Sequence, residues 1–172
     1  MKLFLLLGAL LAAAAGRYLL ENGFGKSLHF VEWKHAFEVA EHEQKPVMLI
    51  VQGAHDCSAS QTLRDSFLDH ETAMSRATRD FVLTTMFEFE EDKHDARTAA
   101  EHRRRYYPRI LFFDQHGSPM RYIRNDAGYP GYEYYYWDVQ HVAEAMDRVR
   151  KMLRMAPFDK KQPSEESAHE LQ

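Results

Sequence analysis

Val47-Met48-Leu49-Ile50-Val51, then Gln52-Gly53-Ala54-His55-Asp56, then Cys57-Ser58-Ala59-Ser60 is the stretch on which the fold turns. A continuous apolar run between Pro46 and a polar loop marks a strand buried on both faces, and hence a sheet covered by helices on each side. The loop is short, and Cys57 opens a helical pattern in which Leu63, Phe67 and Leu68 recur at helical spacing from a start near Ser58. The first N–H groups of a helix are unpaired and its macrodipole is positive there, so the position favours a thiolate over a thiol. Ser60, one turn on, is placed to donate a hydrogen bond to that sulfur. His55 adds positive charge and the adjacent Asp56 opposes it. A small buried hydrophobe is the alternative reading of a free cysteine, and the polar neighbours His55, Asp56 and Ser58 speak against it.

On the N-terminal side, Trp33, Ala36, Phe37 and Ala40 stand at i, i+3, i+4 and i+7, which predicts an amphipathic helix over Trp33 to Glu43 that Lys45-Pro46 stops. On the C-terminal side, Asp69 to Arg79 reads as a second helical piece and Phe81 to Phe89 as a strand. Glu88, Glu90, Glu91 and Asp92 read as an acidic loop, and Ala96 to Arg105 as a polar helix. Ile110-Leu111-Phe112-Phe113 is a strand entered through Pro108. Gln115-His116-Gly117-Ser118 turns the chain, and Met120 to Ile123 is expected to return as the fourth strand. Asn125 to Trp137 is a tyrosine-rich loop. Asp138 caps a last helix with Val139, Val142, Ala143, Met146, Val149 and Leu153 on one face. Strands joined through helices pair in parallel, and the final hairpin adds antiparallel pairing. The expected architecture is an α/β three-layer sandwich, a mixed sheet flanked by helices.

The chain has 172 residues, of which 45% are hydrophobic and 28% charged, a profile that suits one globular domain rather than a disordered chain. Its net charge of -4 argues against a nucleic-acid partner, whose footprint is basic excess. Met1-Lys2, an apolar run from Leu3 to Ala15 and the small residues Ala13-Ala14-Ala15 read as a secretory signal peptide over residues 1–15. That run is too short to span a bilayer about 30 Å thick, so no stable membrane anchor is expected; an uncleaved anchor is the alternative. Residues 16–26 read as a flexible lead-in, 27–157 as the domain, and 158–172 as a disordered tail. The chain is thus expected in an oxidising compartment with a single cysteine, Cys57. One cysteine makes no intrachain disulfide and no Cys₄ or Cys₂His₂ zinc site, so any disulfide is with another molecule.

The strand Val47–Val51, the Cys57-Ser58-Ala59-Ser60 turn and Tyr106-Tyr107-Pro108-Arg109-Ile110-Leu111-Phe112 together resemble a thioredoxin fold. More narrowly, Val31-Glu32-Trp33, Lys45-Pro46-Val47-Met48, Asp92-Lys93-His94 and Tyr132-Glu133-Tyr134 resemble the small endoplasmic-reticulum thioredoxin-domain proteins of the anterior gradient group. The resemblance covers about residues 27–157. It implies a thioredoxin-like sandwich in which Tyr107-Pro108 is cis, faces Cys57 and holds an extended client by its backbone. It also implies client proteins with cysteines as partners, and protein folding as the setting. Three positions depart from typical thioredoxins. Ser60 stands where the second cysteine would be, Val51 where a buried carboxylate would be, and Asp56 where a tryptophan would be. Without a second thiol, Cys57 makes a mixed disulfide that another thiol must release. The anterior gradient group ends in a retrieval signal, and here Gln172 follows His169-Glu170-Leu171. The endoplasmic-reticulum lumen is the first expectation and secretion the second.

Two further readings stay open: a non-enzymatic chaperone or interaction module that uses the tyrosine-rich loop, and a homodimer linked through Cys57. No cofactor and no metal are expected. His70-Glu71-Thr72-Ala73-Met74 lacks the second histidine of a zinc protease motif, and the ten histidines are scattered. Glu88, Glu90, Glu91, Asp92 and Asp95 do not follow an EF-hand loop and read as solvated. His102-Arg103-Arg104-Arg105 reads as the exposed end of a helix.

Overall fold

The computed structural model describes residues 23–90 and 106–155. Four strands form one mixed sheet: β1 (Phe30–Val31), β2 (Val47–Gln52), β3 (Val82–Phe87) and β4 (Arg109–Phe113), in the order β1-β3-β2-β4. β3 runs parallel to both β1 and β2, with Phe30 opposite Leu83 and Val47 opposite Val82. β4 runs antiparallel to β2, with Val47 opposite Phe113 and Val51 opposite Arg109. Four helices cover the sheet: α1 (Trp33–Glu43), α2 (Ser58–Asp69), α3 (Glu71–Ala77) and α4 (Val139–Met152).

The two-residue period of the strands sorts the core into two layers. Val47, Leu49, Val51, Leu111 and Phe113 face the α1 side with Ala36 and Ala40. Met48, Ile50, Ile110 and Phe112 face the other side, with Leu63 and Phe67 of α2, Met74 of α3 and Val142, Met146 and Val149 of α4. Every residue of β2 is buried, as its unbroken apolar run requires. Each fully buried valine or methionine here adds about 1.5–3 kcal/mol of transfer free energy. α1 has the bounds its periodicity predicts. It ends at Gln44, whose left-handed φ of 55° turns the chain into Lys45-Pro46. Asp138 caps α4, its carboxylate accepting from the His141 amide at 3.0 Å.

Several expectations are corrected. The fourth strand of the sheet is β1, not Met120 to Ile123. There the chain closes only isolated contacts with β4, through a Phe113–Pro119 bridge and a Met120 N–H to Phe112 C=O bond at 2.8 Å. It then turns away, with Arg121 and Tyr122 in solvent and Ile123 in the core. Antiparallel pairing therefore comes from β2 and β4, not from a terminal hairpin. β3 ends at Phe87, and Glu88–Glu90 forms a 3₁₀ turn whose Glu90 carboxylate accepts the Phe87 N–H at 2.7 Å. Phe24, expected in the flexible lead-in, is fully buried, 5.1 Å from the Phe67 ring and 5.6 Å from the Phe30 ring. Ala145 takes the buried place expected of Ala143. The signal peptide, the helix over Ala96 to Arg105 and the tail from residue 158 lie outside the described residues.

Candidate functional site

The site is built where β2 ends, α2 begins and β4 enters the sheet. Cys57 is the N-cap of α2, in extended conformation, with its C=O accepting the Gln61 N–H at 3.0 Å and its own N–H bonded to Ala54 C=O at 2.8 Å. The thiol is half-buried and free. No side-chain bond from Cys57 caps the helix, and the residue stands at the end where the first N–H groups have no intrahelical acceptor and the macrodipole is positive.

Gly53 explains how that sulfur is seated. A Cβ at this position would lie 2.7 Å from the Cys57 Sγ, 2.8 Å from its Cβ and 3.2 Å from the Cβ of Tyr107. Only glycine lets the thiol rest against the end of β2 with Tyr107 alongside. The Tyr107–Pro108 peptide bond is cis and Pro108 is buried. Cys57 and Tyr107, far apart in the chain, thus meet across Gly53, and Pro108 leads directly into β4.

Ser60 is fully buried. Its Oγ accepts the Gly53 N–H at 3.0 Å, so it ties the end of β2 to the first turn of α2. His55 is exposed, and its ring lies 4.5 Å from Phe87, which stacks on Phe89 at 5.4 Å. Asp56 is exposed.

Two contributors escaped sequence reasoning. One is Gly53, whose requirement arises through space and leaves no pattern in the chain. The other is Tyr135, within a stretch noted only for its richness in tyrosine. It bridges to Arg109 of β4, beside Pro108. Burial pushes the Tyr135 phenol up from its ordinary range, and the negative charge of Cys57 pushes it further, so phenol and thiol lie within electrostatic reach. The tyrosine-rich loop divides. Tyr134 and Tyr136 are buried against the sheet, whereas Tyr129 and Tyr132 are exposed. Among the described residues no cluster of three His, Cys, Asp or Glu side chains converges to hold a metal, and no helix is long and apolar enough to cross a membrane.

The family model described as thioredoxin-like matches residues 30–115, half of the chain, and spans β1 to β4 with Cys57 and Pro108 inside it. The chain belongs to the thioredoxin-like family. Among relatives of this thioredoxin-like chain, Anterior gradient protein 1 of Xenopus laevis is 25% identical over 134 residues, covering 77% of this chain and 68% of that protein. Anterior gradient protein 3 of Homo sapiens is 25% identical over 138 residues, covering 79% and 77%. The solved structure of a DsbH oxidoreductase aligns at a TM-score of 0.42 with 14% identity, over 84% of this chain and 99% of that one.

Proposed function

We propose that this thioredoxin-like protein is a thiol–disulfide exchange factor of the endoplasmic reticulum or secretory pathway, working in protein folding through Cys57 alone. The observation that carries this reading is the half-buried Cys57 sulfur at the N-terminus of α2, seated on Gly53 beside the cis Tyr107–Pro108 bond. The signal-like residues 1–15 and the similarity to anterior gradient proteins support the compartment.

In the exchange, the Cys57 thiolate attacks one sulfur of a client disulfide. A bond forms from Cys57 to that sulfur, and the client's other sulfur leaves as a thiolate. Ser60 carries no sulfur, so release falls to a second thiol, from the client or from a small thiol in solution. That thiol attacks the mixed disulfide and returns Cys57 as a thiolate. When the releasing thiol is the client's own, the cycle reshuffles client disulfides and leaves their number unchanged, which is isomerase chemistry; when it is a small thiol, the client is left as a mixed disulfide with that thiol. Tyr107, alongside the sulfur, and Pro108, joined to it by the cis bond, position the client backbone.

The test is mass spectrometry of the purified protein mixed with a peptide that contains a disulfide. A Cys57–peptide adduct that dithiothreitol reverses and that Cys57→Ser abolishes is expected. No adduct at any pH, with refolding assistance unchanged in Cys57→Ser, would refute exchange. That result would favour the second reading, a non-enzymatic binding module, for which the 73% exposed Tyr129 and 49% exposed Tyr132 supply a contact surface. A species of twice the mass on a non-reducing gel would instead mark Cys57 as the link of a homodimer.

A further inference from the structure

At the end of the sheet that carries the Cys57 loop, a phenylalanine is held out in solvent. Phe89, in the middle of the 3₁₀ turn Glu88–Glu90, is 69% exposed, whereas every other described phenylalanine is buried or half-buried. The ring is not loose. It stacks on Phe87 with centroids 5.4 Å apart and planes within 3°, and the His55 ring lies 4.5 Å from Phe87. The turn that presents it is fastened by the Glu90 carboxylate, which accepts the Phe87 N–H at 2.7 Å. Burial is the ordinary fate of such a side chain, so a ring fixed in water by a bonded turn asks for a partner.

The ledge adjoins the thiol. The Cys57 N–H bonds the Ala54 C=O at 2.8 Å, a tight turn with His55 and Asp56 at its centre. Phe87 pairs with Gln52 in the sheet, and Gly53, the next residue, is where the sulfur rests. From His55 to Phe89 is a span that about three residues of extended client cover, at ~3.3 Å each. The rim is acidic: Asp56 and Glu90 are exposed and Glu88 is half-buried. The nearby cations are spoken for. Arg64, which bonds Gln52 and Gln61, is 8% exposed, and Lys34 is paired with Glu32 at 2.7 Å. Aromatic rings favour apolar and aromatic partners, and carboxylates beside them favour a cation. We propose that Phe89, Phe87 and His55 form a docking ledge for the client segment beside the attacked disulfide, and that the ledge selects an aromatic or large apolar side chain next to a lysine or arginine.

The proposal rests on the exchange reading for its client, and its test has an arm that needs no exchange. Three peptides carry a disulfide-bonded cysteine flanked by Phe and Lys, by Phe and Glu, or by Gly and Ser. The rate at which each forms an adduct with Cys57 of the full chain is read by quenched mass spectrometry. The Phe–Lys peptide is expected to react about three- to tenfold faster than the Gly–Ser peptide. Its lead over the Phe–Glu peptide should shrink in high salt. Phe89→Ala, a change at an exposed position, should erase the preference while iodoacetamide still alkylates Cys57 at the wild-type rate; Phe89→Trp should restore it. In the second arm, the Phe–Lys peptide with serine in place of cysteine is titrated into isotopically labelled protein, and amide resonances of His55, Phe87 and Phe89 should shift. Equal rates for the three peptides, or a preference that survives Phe89→Ala, overturns the ledge, as does a titration that leaves those resonances still. Shifts at the ledge with no adduct from any peptide uphold the ledge and sink the exchange reading alone.

Discussion

At the scale of the residue, two substitutions separate seating from chemistry. Gly53→Ala drives a methyl into the Cys57 sulfur and the Tyr107 side chain, a clash of the kind that costs about 1–3 kcal/mol. The expected outcome is a lower melting temperature and altered Cys57 alkylation, with Gly53→Ala Cys57→Ala recovering part of the stability. Ser60→Ala strips the buried Gly53 N–H of its acceptor, a loss of about 1–3 kcal/mol. Denaturant midpoints measure it; a wild-type midpoint would show that the Ser60 clamp is dispensable. Both residues teach the same limit of sequence reading. The Cys-x-x-Ser spacing told that Ser60 lies one turn from the sulfur. It did not tell which group its oxygen faces, because the Gly53 amide comes from a different element.

At the scale of the element, α3 and α4 are held by charged groups that reach across the fold. The Glu71 carboxylate, in the first turn of α3, accepts the Ser27 N–H at 2.6 Å, and this bond holds the Glu71 carboxyl below its ordinary value of 4.5. A carboxyl lowered on folding stabilises the native state above that ordinary value, and the contribution fades as pH falls through the folded one. Melting temperatures of Glu71→Gln should therefore fall less steeply between neutral and acid pH than those of the wild type, while lying below them at neutral pH. Arg150 of α4 forks onto Asp80 at 2.8 and 2.9 Å, bonds Asp147 at 2.8 Å and also donates to the Ala77 carbonyl. Arg150→Ala leaves Asp80 without this partner. Asp80 is partly solvated, so the expected cost is about 2–3 kcal/mol, below that of a fully buried pair.

The elements also show what was legible in the chain. α1, β2 and α2 could be read because each is long enough to show its pattern, and because Lys45-Pro46 separates the first two. β1 could not, since two residues carry no alternation. Its neighbourhood is set through space, with the Phe30 ring on Phe24 and Phe24 on Phe67 of α2, a contact between distant segments. Met120 to Ile123 has the composition of a strand, yet its buried side chain serves to close the core below β4 rather than to extend a ladder. The buried Arg64 donates to Gln52 Oε1 at 2.6 Å and the Gln52 amide donates to Thr85 Oγ1 at 2.9 Å, a cluster drawn from α2, β2 and β3 that no local pattern announces.

At the scale of the whole molecule, the site joins three regions whose mutual position depends on the entire sheet. Cys57 belongs to the β2–α2 turn, Tyr107 and Pro108 to the entrance of β4, and Tyr135 to the segment that bridges β4 from outside. A mutation in the core far from the sulfur, such as Phe67→Ala under α2, should cost about 3–5 kcal/mol and lower the Cys57 alkylation rate only in step with the unfolded fraction. Parallel titrations by circular dichroism and by alkylation check that coincidence.

The edges of the sheet have a consequence of another kind. β1 is two residues long, and β4 is covered outside by Tyr134, Tyr135, Ser118 and Pro119 through backbone bonds and bridges. A sheet whose outer strands are brief or already capped offers no long template onto which a foreign extended chain can add. On the exchange reading proposed above, the protein meets incompletely folded polypeptides, and borders of this kind let it touch such chains without recruiting them into fibrils or being recruited itself.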